Sequence, residues 1–85
     1  MFTTYILYSQ IIDKFYIGFT ADNVHLRLQK HLAKHKGFTS KATDWQIVYT
    51  EAFPSQELAM QREKQLKNWK SKIRIEELIK RSSTE

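Results

Sequence analysis

No cysteine occurs anywhere in the 85 residues. That excludes disulfides and thiolate metal sites, and it fits a reducing compartment. Two glycines and one proline are too few for a collagen-like or disordered chain, and two glycines cannot build a phosphate-cradling loop. No apolar run reaches the roughly 20 residues of a membrane span, and no signal peptide precedes the first structured stretch. The expectation is a cytoplasmic protein with no membrane attachment. Acidic residues are absent from Asn23 to Thr43, a stretch that carries Arg27, Lys30, Lys34, Lys36 and Lys41 together with all three histidines, His25, His31 and His35. A segment charged in one sense attracts phosphate, although a solvated basic helix carries the same signature.

What is present has to form a core without a covalent staple. A chain of this length buries only about 60–65% of its unfolded surface. Hydrophobic residues make up 41% and aromatics 13%, enough for one small domain, expected over residues 1–80 with a frayed tail at 81–85. Fourteen basic against nine acidic residues give a net charge of +5.

Phe2–Leu7 and Phe15–Thr20 are rich in β-branched and aromatic residues and read as two strands of an antiparallel hairpin. Gly18 inside the second strand marks either a bulge or a close approach to the backbone. Asp22 or Asn23 caps a helix that carries Val24, Leu28, His31 and Leu32 at helical spacing and ends at Lys36-Gly37. Trp45–Thr50 is a third strand. Pro54-Ser55 opens a second helix that runs to Trp69, and Ser71 caps a third. The order β-β-α-β-α-α predicts an α+β domain, a small antiparallel sheet with helices packed on it.

Several polar residues lie in apolar surroundings. Tyr5 and Tyr16 fall on the paired strands, where the hairpin brings them side by side. Arg27 and His31, four apart, share one helix face. Glu63 lies between Ala59 and Leu66 on the second helix. Each of these taken singly is compatible with packing or a solvated face. The histidines do not make a zinc site: His31 and His35 have i, i+4 spacing, but no glutamate follows the first. No nucleophile turn supports a Ser-His-Asp triad.

Tyr5-Ile6-Leu7-Tyr8-Ser9, then Lys14-Phe15-Tyr16-Ile17-Gly18-Phe19-Thr20, then Arg27-Leu28-Gln29-Lys30-His31, resembles the GIY-YIG nuclease domain. Ala59-Met60-Gln61-Arg62-Glu63-Lys64-Gln65-Leu66-Lys67 resembles the metal-site helix of that family. The likeness runs from about Phe2 to Ile79. It is greatest to small stand-alone bacterial proteins similar to the nuclease domain of the excinuclease C subunit, with which Lys36-Gly37-Phe38-Thr39 and Asp44-Trp45 also agree. Thr3 and Thr4 replace the glycine and isoleucine of the first motif. One extra residue separates Gly18 from Arg27, and no asparagine matches the one some members carry after the glutamate.

The resemblance implies a GIY-YIG fold with a three-stranded antiparallel sheet. It further implies a metal-dependent endonuclease that hydrolyses DNA phosphodiesters in repair or recombination. Tyr5, Tyr16, Arg27 and His31 would be catalytic, and Glu63 would be the ligand of Mg²⁺ or Mn²⁺. Such an ion needs only one or two carboxylates besides water and phosphate oxygens. Arg27 suits a phosphate oxygen through its planar fork. A tyrosine with a pKa of about 10 is a poor base unless a cation lowers it. Lys30, Lys34, Lys36 and Lys41 are the expected phosphate contacts, on branched, nicked or single-stranded DNA, with no small-molecule cofactor. The competing reading is a nucleic-acid-binding module on the same fold that has lost useful catalysis.

Overall fold

Four consecutive buried residues in the first strand, Thr4 to Leu7, require cover on both of its faces. The computed structural model, which describes residues 1–21, 23–33 and 41–83, shows how that cover is supplied. In chain order the elements are β1 (Phe2–Ser9), β2 (Lys14–Thr20), α1 (Val24–Ala33), β3 (Gln46–Phe53), α2 (Gln56–Trp69) and α3 (Lys72–Ser83). The sheet has the order β2-β1-β3, and both pairings are antiparallel. Alternation sends Tyr5 and Leu7 to one face, where they pack with Trp45, Ala42 and the α1 residues Val24, Leu28 and Leu32. Ile6 and Ile17 point to the other face and meet Leu66 of α2 and Ile75 of α3. The sheet is thus a central layer, with α1 on one side and α2 and α3 on the other. Full burial of an aliphatic side chain such as Ile6 stabilises the fold by about 1.5–3 kcal/mol.

The caps follow the sequence closely. Asn23 Oδ1 accepts from the backbone N–H of His25 at 2.8 Å and opens α1, while Asp22 lies outside the described residues, as does the expected end of this helix at Lys36-Gly37. Ser55 Oγ accepts from Leu58 N–H at the start of α2, and Ser71 Oγ accepts from Arg74 N–H at the start of α3. β3 runs three residues beyond the expected strand, because Phe2, Thr3 and Thr4 of β1 pair with Phe53, Ala52 and Glu51. α3 continues to Ser83, into the segment read as a tail, and Ser82 Oγ donates to the carbonyl of Ile79.

Two polar contacts fix what later matters for the site. Buried Thr4 donates through Oγ1 to the carbonyl of Ala59 at 2.8 Å, which sets the height of α2 against β1. At the hairpin, Asp44 accepts from the hydroxyl of Ser9 and from the backbone N–H of Gln10 and Ile11 at 2.9 and 3.0 Å. The Ser9 hydroxyl and these two amides hold the Asp44 carboxyl below its usual range, and the ammonium of Lys72 followed by the Tyr8 hydroxyl does the same for Asp13. A lowered folded-state pKa adds stability above the unfolded value of about 4. That stability is lost as pH falls through the lowered value. The melting temperature should therefore drop below about pH 4, and Asp44→Asn should remove part of that pH dependence while lowering the melting temperature at neutral pH.

Candidate active site

The register of β1 against β2 builds the centre of the site. Tyr5 lies directly opposite Gly18 and Leu7 opposite Tyr16, so the two tyrosines are diagonal neighbours on one face. Gly18 is where the rings meet. A Cβ on Gly18 would stand 2.7 Å from Tyr5 Oη, 2.9 Å from Tyr5 Cζ and 3.3 Å from Tyr16 Cε2. The missing side chain is the space the Tyr5 phenol occupies. Of the two readings of Gly18, close approach is the one realised, since the pairing from Thr3–Thr20 to Ser9–Lys14 runs without a break. The register shift lies instead between Ile6 and Leu7 on the β3 side.

Arg27, in the first turn of α1, hydrogen-bonds the Tyr5 hydroxyl through its guanidinium. Its Nε is buried with no hydrogen-bond partner among the described residues. A buried, unsatisfied donor is uncommon in native structures and points to an acceptor that comes from elsewhere. Tyr5 is only 1% exposed. Burial pushes its phenol above the ordinary value, the hydrogen bond and charge of Arg27 pull it down, and Tyr16 and the carboxylate of Glu63 push it up. Tyr5 is consequently a neutral phenol at neutral pH.

Glu63 reaches this point from the opposite layer. α2 packs on the far face of the sheet, where its Leu66 meets Ile17 of the outer strand β2. The Thr4–Ala59 bond sets the helix one turn before Glu63, whose charge then acts on Tyr5. The neighbouring Arg62 faces another way, pairing with Glu51 at 3.0 Å and lying over the Trp69 ring. Glu63 Oε2 is 3.0 Å from the ammonium of Lys67, four residues on, and its side chain is 16% exposed. A carboxylate this sheltered that already holds a cation has the right chemistry for a divalent ion with one protein ligand. No group of three or more His, Asp or Glu residues gathers among the described residues.

Tyr5, Tyr16 and Arg27 thus meet from three separate elements, and the charge of Glu63, on a fourth, acts on Tyr5. His31 is in α1, one turn after Arg27, and its side chain lies outside the described residues, as do Lys34 and Lys36 altogether. Lys30 and Lys41 are exposed. The sequence reading passed over Lys14, Lys67, Lys70 and Lys72, which line a groove along β2 on the side of α2 and α3. The i, i+4 spacing of Glu63 and Lys67 was their one available signal.

The convergence can be checked without any substrate. The Tyr5 Cζ resonance followed by NMR through an alkaline titration should report a midpoint above that of a free phenol. Glu63→Gln removes a cause that raises it, so the midpoint should fall. Arg27→Ala removes causes that lower it, so the midpoint should rise. Unmoved midpoints in both variants would contradict the geometry.

The GIY-YIG catalytic domain profile matches residues 1–77. The solution NMR structure of the UPF0213 protein BH0048 from Bacillus halodurans is similar to this chain, with a TM-score of 0.58 and 32% sequence identity over 94% of this chain and 84% of that one. Among curated proteins none matches significantly. No helix among the described residues is long and apolar enough to cross a membrane.

Proposed function

The chain belongs to the GIY-YIG catalytic domain family, a nuclease family, and from that membership we propose that it is a divalent-metal-dependent DNA endonuclease using Tyr5, Tyr16, Arg27 and Glu63. The observation that carries the proposal is the meeting of two phenols over Gly18, beside a guanidinium bonded to one of them and a carboxylate in electrostatic reach. Glu63 would hold Mg²⁺ or Mn²⁺, displacing the Lys67 ammonium. When bound, the ion supplies charge that offsets the scissile phosphate and the leaving 3′ oxygen.

The residues of the chain divide the remaining work. Arg27 clamps a non-bridging phosphate oxygen, with its guanidinium already oriented by Tyr5. Tyr5, buried and neutral, orients the attacking water through its hydroxyl. Tyr16, half-buried, would take the water's proton as a phenolate, its own proton having been given up beside the bound cation. His31, four residues after Arg27 in the chain, would be the residue to relay that proton. Lys30, Lys34, Lys36 and Lys41 contact flanking phosphates. On duplex DNA, log affinity should then fall with log salt by about 0.9 for each phosphate neutralised. A flat dependence would remove these lysines from the interface.

One observation favours the second reading, a binding module without catalysis. Lys67 already neutralises Glu63 at 3.0 Å, as in an ordinary helix ion pair. Branched, nicked and single-stranded DNA incubated with the protein in Mg²⁺, Mn²⁺ or EDTA separates the two. The endonuclease produces ion-dependent strand breaks in at least one form. Binding with no product on any form selects the module.

A further inference from the structure

A second basic surface borders β2 on the side of α2 and α3. It is a groove of about 500 Å³ whose apolar floor is formed by the partly exposed Phe15 over the buried Ile17, Leu66 and Ile75. Its rim carries four ammonium groups, those of Lys14, Lys67, Lys70 and Lys72, and no carboxylate is among its lining residues. Two of the four are engaged with acids just outside it, Lys67 with Glu63 and Lys72 with Asp13. Lys14 and Lys70 have no ion-pair partner among the described residues, although Lys14 lies near enough to Asp13 to lower its pKa. Tyr16 also lines the groove, while its ring packs with Tyr5 on the other face of the sheet.

The backbone at Lys70 adds an independent observation. Lys70 terminates α2 in the left-handed region, with φ 46° and ψ 34°. Glycine takes this helix-terminating position without a steric penalty and is its usual occupant. A lysine there strains the backbone and places an ammonium at the rim of the groove.

We propose that this groove seats a single nucleic-acid strand along β2, with its phosphates on the lysine rim and a base against the Phe15 ring. The inference rests on nucleic acid being the partner of the site. Charge complementarity identifies a polyanion. The partly exposed Phe15 ring identifies the single-stranded form, because a duplex hides the base faces that an aromatic side chain stacks on, whereas a single strand exposes them. Removal of Lys67 from Glu63 by a divalent ion would add a further unpaired ammonium to the rim.

The test is fluorescence anisotropy of a short labelled thymidine oligonucleotide in EDTA, so that no cleavage intervenes. Wild type is compared with the Lys14→Gln/Lys70→Gly double variant and with Lys34→Gln/Lys36→Gln. Each phosphate contact on a single strand contributes about 0.7 to the salt slope, so the groove variant should lose about 1.4 from it. Lys70→Gly alone should melt a few degrees higher than wild type, because the strain is relieved, while it binds the strand more weakly. Opposite movements of stability and binding exclude misfolding as the cause of the loss. An unchanged slope in the groove variant, with wild type binding and the Lys34→Gln/Lys36→Gln variant weakened, would overturn the groove and leave the proposed function standing. An abasic oligonucleotide that binds as tightly as the thymidine one would overturn the single-strand assignment. Failure of wild type to bind any nucleic acid at low salt would remove the proposed function and the groove with it.

Discussion

Gly18→Ala is expected to lower both the stability of the protein and its rate of DNA cleavage. The new methyl group would stand 2.7 Å from Tyr5 Oη and 2.9 Å from Cζ, closer than a Cβ approaches its non-bonded neighbours. Tyr5 has little room to yield, because its ring is rigid, 1% exposed and packed with Leu7 and Trp45 in one core cluster. Its hydroxyl is also bonded to Arg27. Overpacking of this kind costs about 1–3 kcal/mol, and each kcal/mol lowers the melting temperature of a domain this size by about 4–8 °C. The phenol must move relative to Arg27, and a displacement of about 1 Å at a reacting centre costs on the order of 100-fold in rate. Tyr5→Phe in the same chain removes the atom nearest the methyl group. The double variant should therefore recover part of the lost stability and none of the activity. A Gly18→Ala protein with wild-type melting and wild-type cleavage would refute the close-approach account of this glycine.

The strand alternation already visible in Phe2–Leu7 and Phe15–Thr20 is what brings Tyr5 and Tyr16 together. Period-two geometry and a short loop leave few registers in which both apolar faces are buried. The helix caps at Asn23, Ser55 and Ser71 were legible for the same local reason. Sequence could not decide between a bulge and a close approach at Gly18, since the answer depends on which residue lies across the ladder. Glu63 was visible only through its likeness to a family motif. Helical periodicity places it near Ala59 and Leu66, but not at the edge of an outer strand whose far face carries the tyrosines. Asp44 is more than thirty residues from the turn amides it accepts from, and no local pattern links them. Lys67, Lys70 and Lys72 read as ordinary solvated charges of a helix and its break. They become one surface only because β2 passes beside the junction of α2 and α3.

Glu63→Gln is the second substitution with a large expected effect, and its effect is confined to chemistry. The amide keeps the shape of the carboxylate and loses the charge that would hold a divalent ion. Its contribution to stability is small, because an i, i+4 pair such as Glu63 with Lys67 adds only about 0.3–0.5 kcal/mol. DNA binding without metal should persist or tighten, since a negative charge beside the phosphate is removed and Lys67 is released. Loss of one oxyanion-stabilising donor typically costs about 100–1,000-fold in rate, and loss of the ion should cost at least as much. Arg27→Ala differs in kind: it should weaken binding and slow cleavage together, because the guanidinium would touch the phosphate before and during the reaction.

Strand cleavage by wild type and Glu63→Gln, measured across a Mg²⁺ titration at matched DNA occupancy, therefore tests the proposed metal dependence of the site most directly. The account predicts product that rises with Mg²⁺ for wild type and a rate at least about 100-fold lower for the variant at every Mg²⁺ concentration. Equal rates for the two proteins would contradict it.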